Sequence, residues 1–158
     1  MAPALIITVL VLIVALRSVR VVPEGQVWVI ERLGRFHRTM QQGLNVVMPF
    51  IDHVAHKFSL REQTLDVAVP VVFHDNEPAT MTARVRYLVS DPERVAYNVA
   101  DAASTMQQIV TSAVRGEAGK RTRLAMREEM RFAGLDAVRS ANAVAEPMGL
   151  KIVECTLV

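Results

Sequence analysis

The chain has 158 residues, room for one compact domain of roughly 100–140 residues and a terminal segment. Hydrophobic residues make up 51% and aromatic residues only 5%, which argues against a nucleic-acid binder that stacks bases on aromatic rings. The net charge is only +2, and a single cysteine, Cys155, excludes an intrachain disulfide and implies no oxidising compartment. The charge is unevenly laid out, however. Residues 17–57 carry six Lys/Arg against three Asp/Glu, residues 58–114 four against seven, and residues 115–139 seven against four. Basic ends around an acidic middle suit contact with an anionic membrane surface or head-to-tail contact between copies, and equally suit an ordinary solvated surface.

Residues 4–16 are uncharged, with Thr8 the only polar one. Sixteen residues precede Arg17, about 24 Å of helix, short of the roughly 20 residues that span a bilayer comfortably. Arg17 and Arg20 can snorkel, and Val19, Val21 and Val22 can extend the apolar length past them. The expectation is an N-terminal transmembrane helix, a retained single-pass or deeply embedded anchor over residues 1–20 ahead of a domain over 21–158. A cleaved signal peptide would put positive charge before the apolar run, whereas here the arginines come after it. The positive-inside rule then sets Arg17, Arg20, Arg32 and Arg35 on the cytoplasmic side of a single-pass membrane protein. No cysteine lies near this segment to carry a palmitoyl chain.

From Pro23 the pattern turns to short β-like runs. Residues 26–32 place Trp28 and Ile30 on one face and Val27 and Val29 on the other, so both faces of this strand are expected to be covered. Gly34, Gly43 and Pro49 punctuate the stretch between this strand and the next clear alternation. There Val54, His56, Phe58 and Leu60 alternate with His53, Ala55, Lys57 and Ser59, the pattern of a half-buried strand. Leu65, Val67, Val69 and Val71 make another strand, and His74-Asp75-Asn76 a turn. Residues 81–89 come after it, with Ala83, Val85, Tyr87 and Val89 inward against Thr82, Arg84 and Arg86.

At Ser90 the period changes. Ser90-Asp91-Pro92-Glu93 reads as a helix start with a Ser cap, Pro in the first turn and Glu three residues on. Asp101 can cap a second helix whose stripe is Met106, Ile109, Val110 and Ala113. A third is predicted over 124–146 with Leu135, Val138, Ala141 and Ala145 at helical spacing, ended by Pro147-Met148-Gly149. A last strand, 150–157, is expected to rejoin the sheet. Antiparallel strands, then helices, then a closing strand is an α+β order.

Residues that could carry chemistry have plainer readings. His53 and His56 beside Asp52 suggest a metal site, but on a regular strand the two histidines point to opposite faces and cannot chelate together. No Gly-x-Ser-x-Gly elbow is present, and Ser59, Ser90, Ser104, Ser112, Ser140 and Cys155 lack a paired base signature. Residues 116–122 only echo a phosphate loop, because the spacing between glycines and the preceding strand are wrong. Near the basic run 115–131 the only aromatic is Phe132, so that run reads as an assembly or solvated face rather than a nucleic-acid site. For Trp28 and Phe58, within strands, core is the favoured reading. Phe50, in a Pro-flanked loop, suits membrane contact and core equally. The expectation is no enzyme, no metal and no cofactor.

The ordered series Val22-Pro23-Glu24-Gly25-Gln26, Glu31-Arg32-Leu33-Gly34-Arg35-Phe36, Gly43-Leu44 and Pro49-Phe50-Ile51-Asp52 is the most specific part of the sequence. It continues through Thr64-Leu65-Asp66-Val67, Asp75-Asn76, Asp91-Pro92-Glu93, Tyr97-Asn98-Val99, Gly119-Lys120, Arg127-Glu128-Glu129 and Gly149-Leu150-Lys151-Ile152-Val153. Taken together these motifs resemble the stomatin/prohibitin/flotillin domain, also called SPFH or band 7, and its stomatin branch in particular. The resemblance covers residues 20–158. It implies a membrane-anchored scaffold without a catalytic centre, which self-associates or joins longer relatives to organise membrane partners and lipid microdomains. Its implied partners are membrane lipids, itself or other SPFH proteins, and a membrane protease.

The resemblance also assigns positions. Arg17 and Arg20 fall where the family meets lipid headgroups, and Phe50 and Ile51 in an apolar loop near the membrane. Arg115, Lys120, Arg121, Arg123, Arg127 and Arg131 fall on helices that face neighbours. Two departures stand out. The stomatin pattern turns acidic and apolar after Gly119-Lys120, where this chain has the basic Arg121-Thr122-Arg123, and it runs on into a coiled-coil helix where this sequence ends at Val158. The expected function is therefore a minimal membrane scaffold. The alternatives are a regulatory subunit that binds a membrane protease directly and, a distant third, a membrane-anchored hydrolase.

Overall fold

The computed structural model describes residues 2–158. The chain forms two compact units that divide at Leu60/Arg61. The first opens with helix α1 (Ala2–Ser18) and continues through β1 (Val19–Val22), β2 (Gln26–Arg32), β3 (Arg35–Met40), β4 (Gly43–Val46) and β5 (Asp52–Ser59). β1 pairs antiparallel with β4, and β2 is the middle strand of an antiparallel β3-β2-β5 sheet. Its core is Val22, Ile30, Met40 and Val47, with Trp28 and Val54 packed against them.

The structure corrects the expected transmembrane helix. No helix among the described residues is long and apolar enough to cross a membrane. α1 has 17 residues, about 25 Å of rise. The valines expected to lengthen it leave the helix instead. Val19, Val21 and Val22 pair with Val46, Leu44 and Gly43, and the Val47 amide closes onto the Ser18 carbonyl at 2.7 Å. Paired strand backbone cannot continue a helical span.

β5 departs from its expected alternation too. Val29 opposes His56 but Ile30 opposes Val54, so Ala55 is an extra residue in the strand. That bulge shifts the alternation by one, and His53, opposite Glu31, returns to the face of His56. The argument from opposite faces therefore fails. Among the described residues there is no group of three His, Cys, Asp or Glu able to hold a metal.

In the second unit β6 (Gln63–Val72), β7 (Pro78–Val89) and β8 (Leu150–Leu157) form an antiparallel sheet in the order β6-β7-β8, so the closing strand does rejoin it. Val67, Val69, Val71, Ala83, Val85, Tyr87 and Val89 are all buried, as the alternation predicts. The turn at Asn76 holds it at φ 60, a left-handed conformation that asparagine tolerates.

Helices α2 (Pro92–Asn98), α3 (Ala102–Gly119), α4 (Arg123–Glu128) and α5 (Met130–Ala145) lie between β7 and β8. Asp101 caps α3 as expected, accepting from the Ser104 amide at 2.9 Å. The α2 cap is Asp91 rather than Ser90, its carboxylate taking the amides of Glu93 and Arg94. The third predicted helix is broken in two at Glu129. Its buried stripe is also displaced: Ala133, Gly134, Ala137, Ala141 and Ala145 face inward, while Leu135 is exposed. Packing distance decides this, because a Cβ on Gly134 would sit 2.7 Å from the Cys155 carbonyl oxygen. α5 lies so close to β8 that only small side chains fit between them. A short 3-10 turn, Glu146–Met148, leads to Gly149 at φ 87, where a Cβ would meet the Asp91 carbonyl at 2.4 Å.

Candidate membrane-facing site

The first unit leaves a large apolar surface uncovered. From Ile6 to Leu16, α1 is apolar all round apart from Thr8, and Ile6, Ile7, Leu10, Val11, Leu12, Ile13 and Leu16 are each at least half exposed. A helix apolar all round is stable only where something other than water surrounds it. On the β1–β4 pair Val19, Val21, Leu44 and Val46 are exposed, and on the loop after β4 so are Met48 and Phe50. Arg17 ends α1 and Arg20 lies in β1, both exposed.

The loop before β5 decides how Phe50 is shown. Phe50 is 94% exposed and sits at φ 80, so it is not core. A bulky residue there is strained, by about 1–2 kcal/mol. Asp52 holds it in place: its carboxylate is 1% exposed and accepts a bidentate pair from Arg32 at 2.7 and 3.2 Å and the Met48 amide at 2.8 Å. The Asp52 amide returns a bond to the Met48 carbonyl, and the Leu33 amide one to the Ile51 carbonyl. Ile51 is half-buried, so of the two apolar residues predicted in this loop only Phe50 projects fully. The Arg32 guanidinium outweighs the effect of burial and draws the Asp52 carboxyl down to about 2. Arg32 and Asp52 both stand in recognisable sequence motifs, but nothing in the sequence said that they meet.

A cleft of about 750 Å³ opens in this unit, with Ile13, Val14, Trp28 and Phe50 on its apolar walls and Arg17, Arg20 and Lys57 at its polar ones. The Lys57 ammonium lies 4.4 Å from the centre of the Trp28 ring, a cation–π contact.

The basic residues predicted at 115–131 divide into two sets in the second unit. Arg115 donates to the Pro70 carbonyl at 3.0 Å, Lys120 meets Glu117 at 2.7 Å and Arg123 meets Glu77 at 3.1 Å. Arg121 is drawn inward, 17% exposed, bonded to Glu117 at 2.5 Å and Asp136 at 2.7 Å. Arg127 and Arg131 are exposed, and so are Leu124, Phe132 and Leu135 of the same two helices. Glu117 was missed by sequence reasoning. Burial raises its carboxyl, but Lys120 and Arg121 outweigh that and the net direction is down. It is a structural anion that ties the end of α3 to the segment behind it.

The family model for the SPFH domain / Band 7 family matches residues 20–157. The chain belongs to the SPFH/Band 7 family. Among its relatives, "Stomatin-like protein 2, mitochondrial" of Rattus norvegicus is 30% identical over 131 residues, covering 82% of this chain and 37% of that protein. The Homo sapiens protein of the same name is 29% identical over the same length. An uncharacterised protein of Methanothermobacter thermautotrophicus is 33% identical over 116 residues, 73% of this chain and 36% of its own. These relatives place the chain with the stomatin-like members. It spans little more than a third of their length.

Proposed function

We propose that this SPFH chain is a membrane-attached scaffold module that self-associates, or joins longer relatives, to gather membrane partners and lipids. The observation that carries this reading is the uncovered apolar surface of α1 together with Phe50 at 94% exposure. Each large apolar side chain moved from water into lipid contributes about 1.5–3 kcal/mol. α1 inserts into the hydrocarbon without crossing it, and Arg17 and Arg20 stay among the headgroups. Lateral contacts then run through the exposed residues of α4 and α5, the apolar Leu124, Phe132 and Leu135 together with the cationic Arg127 and Arg131. Confinement to two dimensions and lateral contact raise the local concentration of bound partners, and the chain does no chemistry of its own.

Flotation with anionic vesicles tests attachment. The full chain is expected to float, and a variant with Ile6, Leu10 and Ile13 changed to Asn to remain behind. In a Cys155→Ser background, Ala2→Cys in sealed vesicles is expected to resist a maleimide confined to the side opposite the domain; labelling from there would mean that α1 crosses. Size analysis in mild detergent separates a large homo-oligomer from a small complex with one protease, which would favour the regulatory-subunit reading. Hydrolysis of peptide or ester substrates by the pure protein would overturn both.

A further inference from the structure

We propose that the cleft of the first unit is a built site for the headgroup and proximal acyl chain of one anionic phospholipid. The inference rests on the membrane-attachment reading and deepens it from a surface to a stoichiometric site. The cleft's volume of about 750 Å³ lies within the range of small-molecule sites, and its wall is amphiphilic. Arg17, Arg20 and Lys57 line it, and among the described residues none of the three makes an ion pair. The one carboxylate in the lining, Asp52, is spent on Arg32 and the Met48 amide and is 1% exposed. The cleft therefore holds positive charge with no answering anion.

A free phosphate would meet those cations but leave the walls of Ile13, Val14, Trp28 and Phe50 wet. A neutral lipid would cover the walls but leave the cations unanswered. A phosphodiester headgroup carrying net negative charge, with alkyl chain attached, meets both demands. Lys57 stands over Trp28 in the cleft, so a phosphate drawing the ammonium away alters the surroundings of the chain's single tryptophan. That provides a readout internal to the site.

The test titrates the full chain, in nonionic detergent, with phosphatidylglycerol, phosphatidylcholine or inorganic phosphate. Bound molecules are counted by native mass spectrometry and Trp28 fluorescence is monitored. One phosphatidylglycerol is expected to bind saturably with a change in fluorescence. Lys57→Gln and Arg20→Gln are each expected to weaken it about tenfold, the worth of one charge-assisted hydrogen bond. Arg139→Gln, an exposed charge of the second unit, is expected to leave it unchanged. Graded uptake without a stoichiometry of one overturns the proposal. So does equal binding of phosphatidylcholine, or the same fluorescence change with phosphate alone at the same concentration. Vesicle flotation keeps the two readings apart: a chain that floats but binds no single lipid loses only the cleft, and one that does neither loses membrane attachment as well.

Discussion

Arg32 and Asp52 are register partners on β2 and β5 and join by two parallel hydrogen bonds, Nε to Oδ1 at 2.7 Å and Nη2 to Oδ2 at 3.2 Å. The same carboxylate takes the Met48 amide, so one buried anion fixes both the sheet register and the loop that lifts Phe50 into solvent. Two short motifs far apart in the chain are thus one device.

That device sets a pH dependence. The hydrogen bonds from Arg32 carry the Asp52 carboxyl from 3.8 down to about 2. A folded value below the unfolded one means stabilisation that is complete above about pH 4 and lost as pH falls through the folded value. Thermal melts between pH 5 and pH 2 are expected to show this loss in the native chain and a shallower acid limb in Asp52→Asn, which starts less stable at neutral pH. An acid limb of identical slope in the variant would mean that Asp52 does not set the dependence.

Phe50 separates stability from function. At φ 80 its strain is relieved by glycine, while its exposed ring holds no fold contact worth keeping. Phe50→Gly is expected to leave folding stability unchanged or raise it by up to about 1 kcal/mol, relief set against glycine's larger unfolded-state entropy. Vesicle binding is expected to weaken by about tenfold or more, the transfer energy of one aromatic side chain. A variant that melts lower and binds membranes as before would mean that Phe50 is structural.

The second unit was the more legible in sequence. Strict alternation in β6 and β7 and the Asp101 cap are local features, and the sequence carries local features openly. What it hid was governed by pairing and distance. The valines after Arg17 read as more helix because nothing local announces that β4 will pair with them. Ala55 reads as one more strand residue, although the register with β2 makes it a bulge. Leu135 outranks Ala137 on hydrophobicity, yet the close approach of α5 to β8 at Gly134 reverses the order. Within the site, the exposed apolar run and Phe50 were visible as residue types. The Arg32–Asp52 clamp and the inward turn of Arg121 required the fold.

Arg121 and the pair Arg127 and Arg131 are expected to behave differently although all belong to one basic run. Arg121→Met strips a partner from the buried Glu117 and is expected to cost about 3 kcal/mol. Adding Glu117→Leu should recover most of that, because it replaces with an apolar side chain a buried carboxylate that keeps just one of its two cations, the exposed Lys120. Arg127→Glu with Arg131→Glu touches exposed groups and is expected to leave the urea midpoint within experimental error while reducing the size of the detergent-solubilised assembly. An unchanged assembly would move the lateral contact elsewhere.

Asn142 on α5 serves as a strand partner in miniature. Its Nδ2 donates to the Ile152 carbonyl at 3.0 Å, and the Ile152 amide donates to its Oδ1 at 2.8 Å. β8 is an edge of the β6-β7-β8 sheet, and this amide satisfies one outward-facing residue that would otherwise offer its backbone to another strand. Asn142→Ala leaves that amide and carbonyl to find water beneath a closely packed helix, at a cost of about 1–3 kcal/mol. Asn142→Asp keeps the acceptor for the Ile152 amide but sets a carboxylate oxygen against the Ile152 carbonyl, so it is expected to be no better tolerated than Asn142→Ala. Hydrogen exchange gives the sharper reading. The Ile152 amide is expected to lose more protection in Asn142→Ala than the global destabilisation accounts for, and its neighbours paired to β7 to lose only the global amount. If Ile152 exchanges in step with them, the side chain contributes packing alone and the edge is guarded by α5 as a whole.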